Sequence, residues 1–165
     1  MLDAKMETAL NQQVNAELWS SYLYLSMSQD MDHKDWEGMS AWFAVQAKEE
    51  FGHAARIMKF IRETGGKVKL MPLEEVRQDW NDPMDAFADT LMHEKIVTAK
   101  VHKLMDLAVE LKDYAAQSML KWFVDEQIEE ENTARKILET LKKIEKSTAG
   151  MYALDRQLGK RVEGK

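Results

Sequence analysis

Ala47-Lys48-Glu49-Glu50-Phe51-Gly52-His53 decides how the rest of this chain is read. At helical spacing Met39, Phe43, Gln46, Glu50, His53, Ile57 and Phe60 recur every three or four residues, so they share one helix face. That face is apolar at both ends and carries a carboxylate and an imidazole in its middle. Burying an uncompensated carboxylate costs on the order of several kcal/mol, so a partner must sit opposite it. Glu-x-x-His on one face is how a bundle helix offers an oxygen and a nitrogen to one metal ion. Taken alone, the pair also reads as a hydrogen-bonded polar spot.

The flanking signals extend the pattern. Asp3 is an N-cap for a first helix running to about Met31, with the stripe Met6, Leu10, Gln13, Glu17, Ser20, Tyr24, Met27, Met31. Asp35 is placed to cap the second helix, which Gly65-Gly66 ends at about Thr64. Gly65 to Asp82 has no sustained period. A helix of roughly 28 residues is about 42 Å long, and an extended segment of this size spans it. Such a crossover makes helices two and three parallel, while short turns make the other pairs antiparallel. Asp82-Pro83 starts a third helix to about Leu111, with the stripe Phe87, Leu91, Glu94, Thr98, Val101, Met105, Ala108. Asp113 caps a fourth, with the stripe Ala116, Met119, Phe123, Glu126, Glu130, Thr133, Ile137, Leu141. A short last helix over about 149–162 shows one apolar edge, Met151, Leu154, Leu158 and Val162. It is too short to stand alone and must dock, another subunit being one candidate surface.

The expectation is therefore one all-α domain over 1–165, a four-helix bundle over about 3–146 with a long crossover between helices two and three. Composition agrees: the chain has two prolines, seven glycines and no cysteine. The missing cysteines exclude disulfides, thiolate metal sites and cysteine nucleophiles. No apolar run reaches the length of about 18–20 residues that spans a bilayer, and the N-terminus shows no charged-then-apolar signal, so a cytoplasmic protein without membrane partners is expected. A formal charge of −6 with no Lys/Arg cluster argues against nucleic acid.

Each of the four stripes is apolar at its ends and acidic near its middle: Glu17, then Glu50 with His53, then Glu94, then Glu126 with Glu130. Helix midpoints meet in a bundle whatever their direction, so these groups converge at one level of the core. Converging carboxylates repel at low dielectric, so they hold protons or cations. An oxygen-rich set with one imidazole and no sulfur suits iron(II) or manganese(II) better than structural zinc. The set is too large for one ion and fits two bridged ions. A carboxylate-pair glycosidase would need a sugar-sized cleft, which a closed bundle does not offer.

These residues resemble the ferritin family, specifically the non-haem ferritins of bacteria and archaea. The likeness rests on Asn15-Ala16-Glu17-Leu18-Trp19-Ser20-Ser21-Tyr22-Leu23-Tyr24, on Gln46 to His53, on His93-Glu94, and on Trp122-Phe123-Val124-Asp125-Glu126-Gln127-Ile128-Glu129-Glu130. It covers essentially the whole chain. The resemblance implies that Glu17 and His53 bind a first iron, Glu50 bridges both irons, and Glu94 holds the second with Glu130 beside it. It places Gln127 close by as a hydrogen-bonding neighbour and a third iron site near Glu49, Glu126 and Glu129. Tyr24 would hydrogen-bond near the site and supply an electron, although it reads equally as an amphipathic core tyrosine. Bacterioferritins repeat Glu-x-x-His on the fourth helix, where this chain has Gln127 and Glu130, so the second iron position has oxygen ligands alone and should be the more exchangeable. Phe51 stands where a bacterioferritin has its haem-ligating methionine, so no haem is expected. Trp122 reads as packing, and His33, His93 and His102, off the stripes, read as solvent-facing.

The implied activity is iron storage with ferroxidase chemistry. Iron(II) is oxidised by dioxygen or peroxide at a two-iron ferroxidase centre, and the ferric product is stored as mineral in a hollow homo-oligomeric shell of twenty-four subunits. Three other readings compete. One is a di-iron oxidase of an organic substrate, which needs an apolar access pocket. Another is a DNA-protecting miniferritin, which builds its site between subunits and often carries a basic tail. The last is a non-catalytic bundle with protonated core acids.

Overall fold

Asp3 opens the first helix, its carboxylate accepting from Lys5 N at 2.8 Å. The computed structural model describes residues 2–164. In chain order these form α1 (Ala4–His33), α2 (Glu37–Glu63), α3 (Pro83–Glu110), α4 (Tyr114–Ile144) and α5 (Thr148–Leu158), with no strand among the described residues. Asp82 and Asp113 cap α3 and α4 as their positions predict, accepting from Asp85 N and Ala116 N.

Asp35 does not cap α2. It takes φ 61° in the turn after α1, and the N-cap position falls to Trp36, whose side chain makes no capping bond. The cap comes from far along the chain instead. Asp155 of α5 accepts from Gly38 N at 3.1 Å and Met39 N at 2.8 Å, which satisfies amides that the first turn leaves without partners. This contact docks α5 on α2 of its own chain. The helix stops at Leu158 rather than near 162, and Val162 is exposed instead of extending the apolar edge. Residues 159–164 form a tail that turns back toward Glu49.

Contacts at the helix ends fix the topology. Leu2 N donates to Thr64 O, and Ser28 Oγ donates to Ser40 O, so α1 and α2 run antiparallel. The crossover leaves the Thr64 end, where Asn11 bonds the backbone of Lys67 and Lys69. It reaches the opposite end where Trp80 N donates to Asp30. Hence α3 starts beside the start of α2, and those two helices are parallel, as the length of the connection predicts. Val76 and Trp80 are buried and pin the crossover to the bundle.

All eight residues of the predicted α1 stripe are buried. On the other helices the buried arc is turned slightly from the predicted one. Ile61 is fully buried where Phe60 is half-buried, and Val97, Leu104, Leu120, Gln127 and Ala134 face inward beside or in place of Thr98, Met105, Met119, Glu126 and Thr133. The apolar core forms two clusters. One surrounds Tyr24, Met27, Phe43, Phe87 and Leu141; the other surrounds Leu10, Ile57, Val101, Leu120 and Phe123. Between them lies a polar belt.

Candidate metal centre

The belt holds Glu17 and Gln13 from α1, Gln46, Glu50 and His53 from α2, Glu94 from α3, and Gln127 and Glu130 from α4, all buried. Three amides and a phenol organise the acids. Gln13 Nε2 donates to Glu17 Oε1 at 2.7 Å, and Gln46 Nε2 donates to Glu50 Oε1 at 3.1 Å and to Glu130 Oε2 at 2.8 Å. Gln127 Nε2 donates to Glu94 Oε2 at 3.1 Å, and the Tyr24 hydroxyl donates to Glu94 Oε1. Gln13 and Gln46 precede their glutamates by four residues, so each pair shares a helix face. That spacing is the signal in the sequence that marks both as part of the site, a role sequence reasoning did not assign.

The potential ligand atoms fall into overlapping sets, each with atoms within 4.8 Å of one another: Glu17, Glu50 and His53; Glu50, Glu94 and Glu130; and His53, Glu126 and Glu130. Glu50 is common to the first two. His53 Nδ1 is 3.3 Å from Glu50 Oε2 and 3.9 Å from Glu17 Oε2. Glu49, Glu126 and Glu129 do not form such a set among the described residues. Glu49 pairs with Arg161, Glu126 faces His53 and Glu130, and Glu129 is exposed.

Burial sets the charge state of the belt. It pushes Glu17 up to about 8, helped by the charge of Glu50, while His53 and the Gln13 amide pull it back. Burial and the charge of Glu94 raise Glu130 to about 8. Glu94 rises less, to about 7, because Tyr24 and Gln127 donate to its carboxylate. Glu50 is pushed well up by burial and then by Glu94 and Glu130, and burial also raises Glu126. Without cations Glu17 and Glu130 hold protons at neutrality, and Glu94 is about half-protonated.

A divalent ion fits this donor set. Glu17 Oε2 is buried with no hydrogen-bond partner, one of two such side-chain atoms among the described residues. Leaving a buried acceptor unpaired costs about 1–3 kcal/mol, so an oxygen aimed at an imidazole and a second carboxylate is placed for a ligand rather than for packing. Carboxylates with one imidazole suit hard or borderline ions.

His93 departs from expectation. It is buried, with Nε2 2.8 Å from Ser20 Oγ and its ring 5.5 Å from Trp19 and 5.8 Å from Tyr24. Burial lowers it to about 4, so it is neutral. It lies off the α3 stripe, but α1 packs over that flank as well, which a single-helix stripe cannot report. His33 and His102 are exposed. Trp122 is half-buried, with its ring edge-on to His53 at 5.4 Å and the Arg56 guanidinium 4.2 Å from its centroid.

A parallel-and-antiparallel four-helix bundle whose core is divided by a belt of carboxylates and one histidine defines the ferritin-like class of metal-binding proteins. A sequence model of the ferritin-like domain matches residues 7–144. The bacterial non-heme ferritin of Bacteroides fragilis is 38% identical over 161 residues, covering 98% of this chain and 100% of that protein. That of Staphylococcus aureus is 32% identical over 162 residues, covering 98% of each. Among solved structures, an open pore ferritin from the archaeon Archaeoglobus fulgidus superposes with a TM-score of 0.97 at 41% identity, over 98% of this chain and 100% of that one. A humanized archaeal ferritin gives 0.98 at 38% identity, with both chains fully covered. The chain belongs to the ferritin family, as a non-haem iron-storage ferritin of the prokaryotic type.

Proposed function

We propose that the belt is a ferroxidase centre that oxidises iron(II) before the ferric product is stored. The reading is carried by the two ligand sets that share Glu50. A carboxylate common to both sets suits a bridge, with Glu17 and His53 holding one iron(II) substrate ion and Glu94 and Glu130 the other. Gln46 and Gln127 orient the carboxylates through their amides, and Tyr24 holds Glu94 by a hydrogen bond and stands near enough to supply an electron. Because the acids carry protons near neutrality, loading two iron(II) ions releases protons to solvent. Dioxygen or peroxide then accepts the electrons. The ferroxidase chemistry needs neither haem nor thiolate.

A cavity of about 790 Å³ opens beside His53 and Glu130, and its wall carries Glu49, Glu126 and Glu129. The same wall carries Arg56, Lys160 and Arg161 and the rings of Trp42 and Trp122, and Glu49 on it is paired with Arg161, which leaves Glu126 and Glu129 as the groups that suit an approaching cation. We also assign this chain to a homo-oligomeric shell of twenty-four subunits in the cytoplasm. An outer apolar groove of α1 and α2, bearing Tyr22, Leu25 and Phe51, supports burial against a second copy, and no helix among the described residues is long and apolar enough to cross a membrane.

Aerobic addition of iron(II) should give rapid oxidation and a soluble ferric core in a large particle, measured by absorbance, light scattering and the iron-to-protein ratio. Glu50→Ala and His53→Ala should lose the rapid phase. Oxidation as fast as the parent in either variant overturns the assigned centre.

A further inference from the structure

Beyond α5 the chain reverses, and the tail over residues 159–164 lies against the mouth of the cavity beside the metal centre. Arg161 is its anchor. The guanidinium lies 4.4 Å from the centroid of the Trp42 ring, donates through Nη1 to Gln46 Oε1 at 2.7 Å, and pairs through Nη2 with Glu49 Oε2. Gly164 N donates to the other Glu49 oxygen at 2.8 Å, so the tail takes both oxygens of that carboxylate. A solvated surface pair would carry little meaning. Here the side chains of Arg161 and Glu49 are only 13% and 15% exposed, and three different partners fix the planar fork.

The contact with Gln46 reaches the centre itself. An amide whose oxygen accepts from Arg161 must present its nitrogen on the other side, where it donates to Glu50 and Glu130. Without the arginine the amide oxygen loses its donor, and only the two bonds from Nε2 to Glu50 and Glu130 hold the amide.

We infer that Arg161 is a positioning residue and a built-in counter-cation of the metal centre. It withholds Glu49 from arriving metal ions, and through Gln46 it sets the orientation of the Glu50 and Glu130 carboxylates. The latch opens by competition, since a cation that takes Glu49 must displace the guanidinium from it. The inference builds on the ferroxidase reading but concerns a contact that reading does not use.

The test is anaerobic titration of the full chain with cobalt(II), followed by calorimetry and by the d–d absorption of the bound ion. Arg161→Ala should bind one more cobalt(II) per subunit than the parent, or bind its weakest ion about tenfold tighter. Its spectrum at the first sites should also change as Gln46 loses its fixed orientation. Arg161→Gln, which keeps side-chain length and polarity, should do the same and guards against a folding defect in the first variant. Arg161→Lys, which keeps the charge, should return the count to that of the parent. Adding Glu49→Gln to Arg161→Ala should remove the extra ion. Unchanged number, affinity and spectrum in both neutral variants overturn the inference. A parent protein that binds cobalt(II) but fails to oxidise iron(II) overturns the ferroxidase reading instead, and leaves the comparison between parent and variants to decide the latch.

Discussion

Glu17 Oε2 lies 3.9 Å from His53 Nδ1 and has no hydrogen-bond partner, although the residue is 1% exposed. Those two atoms belong to helices that run antiparallel, and only the tertiary fold brings them face to face. The folded protein tolerates such a pairing near neutrality because the acids around it take up protons.

A pH dependence of stability follows. Glu17 and Glu130 are raised to about 8 and Glu94 to about 7, each from an unfolded value of 4.5. A raised carboxyl binds its proton more tightly in the folded chain. Its contribution is full below the unfolded value and is lost as pH rises through the folded one. His93, lowered from 6.5 to about 4, adds an opposing slope from the protons its unfolded imidazole still holds near 6.5, smaller than that of the three carboxyls and fading as pH rises. Between pH 6.5 and 8, the thermal midpoint of metal-free protein should fall, and cobalt(II) should offset the fall because it binds the ionised acids. Calorimetry at both pH values checks this, and a metal-free midpoint that rises across the window contradicts it.

Tyr24→Phe removes the hydroxyl that donates to Glu94. That bond holds the Glu94 pKa down, so its loss should raise proton competition at the metal position proposed for Glu94 and Glu130. Cobalt(II) affinity at that position should drop about tenfold at neutral pH, with recovery in alkali. If affinity is unchanged while oxygen consumed per iron shifts, Tyr24 acts through electron supply rather than through Glu94.

Asp155→Ala deletes the only side-chain cap that the described residues give the first turn of α2. The cost should be about 1–2 kcal/mol, read as a lower denaturant midpoint. Gly38→Ala tests the same contact from the other side, because an added Cβ would lie 1.8 Å from the Asp155 carbonyl oxygen and force α5 away. A neutral effect of both changes would show that α5 is not held by this cap.

Trp80→Ala should cost about 3–5 kcal/mol, as large aromatic truncations in a core do. Trp80 is 1% exposed, its Nε1 donates to Asp89 and its backbone N donates to Asp30. Loss of the ring should free the crossover, seen as faster amide exchange over 65–82. Exchange confined to its parent rates would mean that backbone bonds alone hold the segment.

The sequence alone determined four long helices, a crossover that makes two of them parallel, and the acidic residues that share one height in the core. It could do so because a helix repeats every 3.6 residues, so a buried stripe is written along one segment and read without knowing its neighbours. Tertiary structure alone decided the neutral burial of His93 beneath α1, the capping of α2 by Asp155, and the hold of Arg161 on Gln46 and Glu49. Each joins residues from different elements, and which flank of a helix a neighbour covers is set by packing angles that no single stripe records.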